Sequence, residues 1–365
     1  MRIRISSWKP VIFIGVIASL CGGISTIAYC RNALYKEVTN WQIGDSNPPA
    51  RILWQHVELN VPSHQASRVP TNGLAVSDKY VVYWRKPHFS PCDVWQTITA
   101  YHIQNGTRAW QYAVPGTIPR DLIGVDDGYL ATMEAWLVKL NPEGGVVWRN
   151  QTVPSRAAKQ AYTQGNFVYV PSFSKVYIFQ AKNGKLDRVI EVSNIVDYWE
   201  DAFLTMRSSD TLSLHFANEE REAVTLKVSN QALIAEYSES LVKFTYRFND
   251  ILIVHNYFTP PKLQAFHMND GRLLWERSGA FSSPPIMFNE MLAIYAADRV
   301  LFFDLLTGET KGYIQLVRVS SDSITPIPNP LRIVWLGASQ NILSIYFRDT
   351  SELLTLEVDL TDSNK

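Results

Sequence analysis

The sequence has no excess charge of either sign: 34 Lys and Arg balance 34 Asp and Glu in a chain of 365 residues. A balanced chain has no general attraction for phosphate backbones or anionic lipid, which argues against a dedicated nucleic-acid binder. Cysteine is scarce. Of Cys21, Cys30 and Cys92, only the last lies in the main part of the chain, so that part has no internal disulfide. No Cys-x-x-Cys pair and no Cys/His cluster offers a zinc site. A G-x-S-x-G nucleophile turn is missing, as is a glycine loop that could cradle phosphates. The sequence signatures of nucleophilic hydrolysis and nucleotide chemistry are therefore absent.

Long apolar runs are also rare, with one exception. From Val11 to Tyr29 there is no charged residue, and at about 1.5 Å per helical residue this nearly spans a hydrocarbon core of about 30 Å. Arg2, Arg4 and Lys9 precede the run and Arg31 follows it, a bias that keeps the N-terminus in the cytoplasm. Residues 1–10 are expected to form a cytoplasmic tail and 11–29 a single transmembrane anchor. The alternative is a signal sequence cut after Thr26-Ile27-Ala28. Either reading places the main domain outside the cytoplasmic membrane. Residues 30–50, ending in Asn47-Pro48-Pro49, are expected to be a linker, because Pro-Pro stops regular structure.

What is abundant is aromatic: 11 Trp, 17 Tyr and 16 Phe, side chains that suit pleated, half-buried surfaces. They recur at fixed spacing. One pattern ends in a turn Gly followed four residues later by Trp, in residues 100–110 (Gly106, Trp110), 138–148 (Gly144, Trp148) and 265–275 (Gly271, Trp275). Weaker copies at 178–188 and 302–312 keep Gly184 and Gly308 but carry Arg188 and Gly312 in place of Trp. A degenerate copy at 225–235 has neither Gly nor Trp. Asn-Gly and its relatives place a residue with positive φ in a tight turn and so close a β-hairpin. The Trp then falls on an outer strand, where its apolar area can seal one sheet against the next.

A second pattern, a polar turn followed by an apolar run, occurs seven times, beginning at Ser77, Asp126, Gln164, Glu200, Asn249, Asn289 and Gln340. Seven first hairpins need seven outer strands, but only six turn-then-outer-strand copies follow them. The seventh outer strand is expected at residues 50–59, with Trp54 at the marker position, so the N-terminal strand completes the last blade and leaves no open edge. Residues 51–365 shared among seven repeats give about 45 each, a propeller period. The fold class expected is all-β: a seven-bladed β-propeller over 51–365, preceded by one transmembrane helix. Extra length at residues 85–93, 217–223 and 320–330 is expected in loops on one rim.

The Gly-x-x-x-Trp pattern resembles the quinoprotein-type (PQQ-like) propeller repeat, whose usual form reads Ala-Leu-Asp-x-x-Thr-Gly-x-x-x-Trp, and the resemblance covers residues 50–365. It reaches two branches, the dehydrogenases that hold pyrroloquinoline quinone and the propellers that only bind proteins, such as the outer-membrane barrel-assembly lipoprotein. The sequence has no adjacent cysteines and no convincing Glu, Asn and Asp set for the calcium beside the quinone. The resemblance therefore implies the protein-binding branch, with no cofactor.

Other candidates have structural explanations. His102 and His267 stand four residues before the turn Gly, where other repeats carry Gln180 or Asp304, and read as hairpin hydrogen-bonding devices. Asp126 and Asp127 could act as a carboxylate pair but sit in a repeated turn, and Glu219, Glu220 and Glu222 fit a solvated loop. The most unusual insertion is residues 85–93, from which Arg85, His88, Phe89 and Cys92 are the candidate partner contacts. The function expected is a membrane-anchored, extracytoplasmic protein-binding or scaffolding module with partners at the propeller rim. The alternative is a PQQ-dependent dehydrogenase-like or other propeller enzyme.

Overall fold

The computed structural model describes residues 40–57, 73–85, 96–114, 119–133, 136–151, 161–172, 174–199, 201–208, 210–216, 223–228, 245–256, 261–320, 323–325, 334–347 and 352–359. They form seven antiparallel sheets, called blades I to VII, with strands a to d running outward in each. Blade I is Leu74–Val76, Tyr80–Arg85, Gln96–His102 and Arg108–Val114; blade II is Pro119–Val125, Gly128–Met133, Leu137–Leu140 and Val146–Asn150. Blade III is Tyr162–Gln164, Phe167–Pro171, Lys175–Gln180 and Leu186–Glu191; blade IV is Ile195–Tyr198, Ala202–Ser208, Thr211–Phe216 and Val224–Lys227. Blade V is Thr245–Phe248, Ile251–Asn256, Lys262–His267 and Leu273–Ser278, and blade VI is Ile286–Phe288, Met291–Ala296, Arg299–Asp304 and Thr310–Ser320. Blade VII takes Val334–Ser339, Ile342–Phe347 and Glu352–Val358 from the end of the chain and Ala50–Val57 from the beginning. The N-terminal closing strand is where the repeat count puts it, and all seven polar-turn repeats become a–b hairpins.

Each blade packs on both faces, which explains why the b strands read as unbroken apolar runs. In blade V, Ile251 and Ile253 join the core shared with blade VI, whereas Leu252 and Val254 join the core shared with blade IV. Comparable shared cores link every neighbouring pair round the ring, including VI with VII and VII with I.

The repeated Trp and Gly form the outer part of these interfaces. The Trp on strand d of one blade covers the turn Gly between strands c and d of the next: Trp54 on Gly106, Trp110 on Gly144, Trp148 on Gly184 and Trp275 on Gly308. Each indole N–H donates to a carbonyl of the same turn, that of Ile103, Pro142, Ala181 and Leu305 respectively. Gly106 shows why glycine is needed: its φ is +66°, and a Cβ there would sit 2.8 Å from the Trp54 ring.

Two expectations are corrected. Residues 30–50 are not wholly a linker, because Asn40–Asn47 is a strand added outside strand d of blade VI. Counting repeats missed it, since six blades have no fifth strand. The copy at 225–235 is misplaced by one strand: strand d of blade IV is Val224–Lys227, and residues 229–235 lie outside the described residues. There Val224 and Leu226 fill the place of Trp against Gly271. The expected anchor at 11–29 also lies outside the described residues, and among those described no helix is long and apolar enough to cross a membrane.

Candidate functional site

Antiparallel strand order sorts the connections onto two faces. The a–b and c–d connections share one, the turn face; the b–c connections and the links between blades share the other, the loop face. All the connections of eight residues or more, 58–73, 86–95, 151–161, 228–244 and 326–333, join strand ends on the loop face. Arg85 is the last residue of strand b in blade I and stands at that face; His88, Phe89 and Cys92 lie outside the described residues. The expectation of a single insertion rim is corrected in part. Residues 85–93 and 320–330 share the loop face, but 217–223 joins strands c and d of blade IV and belongs to the turn face.

Strand ends near the loop face carry buried polar groups. Among the described residues, Trp84 Nε1, Thr132 Oγ1, Tyr295 Oη and Trp335 Nε1 are buried donors without a hydrogen-bond partner, and they belong to the contiguous blades I, II, VI and VII. A buried donor left unmade costs about 1–3 kcal/mol. Burial also pushes the Tyr295 hydroxyl well above its ordinary pKa. In blade V, His255 is fully buried and burial lowers its imidazole to about 3, so it is neutral. Sequence pattern gave no warning of these groups, because each sits inside an apolar run.

Several charges on the turn face are paired. Asp127 accepts from Lys139 Nζ at 2.7 Å, so one member of the Asp126-Asp127 pair belongs to an ion pair. Asp201 accepts from both terminal guanidinium nitrogens, Nη1 and Nη2, of Arg247 across the IV–V interface, and those hydrogen bonds hold its carboxyl below the usual range. His267 shares a hydrogen bond with Asp270 in its own turn, and His102 is exposed beside Tyr80, ring centroids 5.2 Å apart. Both histidines are hairpin residues. Among the described residues no three His, Cys, Asp or Glu are grouped so as to hold a metal ion. Blade VII has no c–d turn, and an open cleft of about 810 Å³ lies there, lined by Pro49, Arg51, Asn341, Glu357 and Asp359 among others. Its main charges are already paired, Arg51 with Glu357.

No protein-family model matches the sequence, and no curated protein matches it. Solved propellers do match in shape. KlHsv2 with loop 6CD replaced by a Gly-Ser linker aligns over 80% of this chain and 95% of its own, at 10% identity and a TM-score of 0.50. BamB from Moraxella catarrhalis aligns over 80% of this chain and 87% of its own, at 13% identity and a TM-score of 0.46. The computationally designed Ika8 protein aligns over 81% and 98%, at 13% identity and 0.49. Only the fold is shared. The rims have to be read from this chain's own residues.

Proposed function

We propose that the chain is an extracytoplasmic protein-binding module whose loop face takes the partner. The observation that carries this reading is the one-sidedness of the ring: every connection of eight residues or more joins strand ends on one face, while the other face has short turns and the seven-residue link 217–223. A ring with its longest segments on one face is the arrangement that suits recognition by several loops at once. The buried donors of blades I, II, VI and VII lie towards the same face. The quinoprotein-type repeat belongs to this proposal as well, its support being the Trp-on-Gly contact at four interfaces. Residues 11–29 are proposed as the anchor, and we propose no cofactor.

Replacing residues 85–93 with a short Gly-Ser turn should abolish capture of partners by in-membrane crosslinking while leaving the melting temperature unchanged. Retained capture would remove this loop from the contact. Uptake of PQQ with calcium, together with reduction of an artificial electron acceptor, would instead favour an enzyme. The anchor has its own test. A membrane-bound chain whose intact mass includes residues 1–10 is the expected result; a released chain beginning near Tyr29 would show a cleaved signal.

A further inference from the structure

Strand Asn40–Asn47 occupies a built groove. It pairs with Thr310–Ser320 from Asn40 opposite Val319 to Asn47 opposite Tyr313, shifting register between Ile43 and Ser46. Its anchor is Trp41, only 4% exposed. The indole lies flat on Phe347 of blade VII, ring centroids 4.4 Å apart and planes 6° apart. Trp41 Nε1–H donates to Glu352 Oε2 at 3.2 Å, and Glu352 Oε1 accepts from Arg318 Nη2 at 2.9 Å. The Trp41 backbone N–H donates to Gln55 Oε1 at 2.8 Å. At the far end the Tyr313 hydroxyl donates to Asp45, and Gly312 admits the Asn47 carbonyl where a Cβ would collide with it.

The groove is therefore a backbone ladder with an aromatic floor, a charged wall and a glycine notch, made by residues of strands 50–57, 310–320, 342–347 and 352–358. Its present occupant joins the ring through Pro48-Pro49 alone on the C-terminal side. We propose that the outer edge of blade VI is a strand-binding groove, filled in cis by residues 40–47, which accepts in trans an extended peptide carrying Trp in the same register. Strand addition of this kind takes affinity from main-chain hydrogen bonds and specificity from the side-chain pocket. An occupant without the indole leaves Phe347 uncovered and removes one donor from a carboxylate that is 1% exposed. The Trp41 pocket lies at the loop-face end of the groove, where Phe347 and Glu352 flank the b–c connection of blade VII, and the proposal rests on the groove's own contacts rather than on which loops take other partners.

The test is a full-length chain with a specific protease site in place of Pro48-Pro49. After cutting, the N-terminal fragment should stay with the ring on size exclusion. A fluorescent peptide of residues 40–47 in excess should replace it, and the Trp41→Ala peptide should compete roughly thirtyfold less well. In the uncut chain, Trp41→Ala should speed amide exchange in 310–320 and 352–358 and leave blade III unchanged. Equal competition by both peptides, or a fragment that departs with no peptide taking its place, overturns the proposal. Should the cut chain unfold, unaltered exchange in the uncut Trp41→Ala chain overturns it equally.

Discussion

Trp275→Ala is expected to lower the unfolding free energy by about 3–5 kcal/mol, in the range for removing a buried aromatic side chain. The residue is 6% exposed and seals blade V to blade VI at the Gly308 turn. Its indole also serves the Leu305 carbonyl at 2.9 Å. Trp148→Ala should cost less at an equivalent position. The Ala181 carbonyl that accepts from Trp148 also accepts from Lys139 Nζ at 3.1 Å, so it retains a donor. The reverse substitution separates a socket from mere apolar surface. Arg188 stands at the Trp position of blade III, but the next blade joins strands c and d through residues 217–223, which contain no Gly. Arg188→Trp is therefore expected to leave stability unchanged within about 0.5 kcal/mol. Chemical denaturation of the three variants checks the set. A clear gain from Arg188→Trp, or a Trp275→Ala loss below about 1 kcal/mol, would show that the Trp–Gly contact does not govern these interfaces.

The interfaces without a Trp–Gly pair are closed by other means. Between blades III and IV a ladder of rings runs from Tyr162 through Tyr169, Tyr198 and Phe203 to His215, with successive centroids 4.9, 5.8, 6.3 and 4.6 Å apart. Between IV and V the aliphatic pair Val224 and Leu226 is joined by the Asp201–Arg247 ion pair and by Thr245 donating to Asp197 at 2.9 Å. Between VI and VII there is no c–d turn to receive a Trp, because strand d of blade VII comes from the other end of the chain. Strand d of blade VI accordingly carries Gly312, and Trp41 of the fifth strand seals the seam instead.

That variety explains how far the sequence could be read. Turn glycines, outer tryptophans and apolar b strands are local signals, each fixed by one hairpin, and they were enough to count seven blades and find the closing strand. The fifth strand has no repeat to belong to, and its partners Phe347 and Glu352 are about three hundred residues away, so local pattern could not reveal it. Blade IV defeated the pattern for a related reason. Val224 and Leu226 do the work of Trp without resembling it, and the true c strand, Thr211–Phe216, ends in a longer connection than its counterparts. The candidate contacts were legible only as an insertion, because strand topology can assign residues 85–93 to a face but not to a partner.

Acidification should destabilise the ring well before its carboxylates are protonated, and His255 is the reason. The residue is fully buried in strand b of blade V, its ring edge-on to Phe281 at 6.1 Å. Burial lowers its pKa from the ordinary 6.5 to about 3. Between those values the unfolded chain binds a proton that the folded chain excludes. Stability is therefore intact above about pH 6.5, falls as the pH drops through that value, and levels off only near 3. At pH 5 the gap of about 1.5 pH units corresponds to about 2 kcal/mol from this side chain alone. His215, whose pKa burial also lowers, acts in the same direction. The carboxylates work in a lower window. Asp201 and Asp304 have lowered pKa values, held down by Arg247 and by the backbone N–H of Thr307, so their contributions are lost only as the pH falls below about 4. Denaturation midpoints from pH 7.5 to 4.5 should therefore slope more steeply for the natural chain than for His255→Leu, the difference reaching about 2 kcal/mol at pH 5. Parallel slopes for the two proteins would mean that His255 takes up its proton without leaving the fold. The imidazole would then have access to water through the loop-face end of blade V.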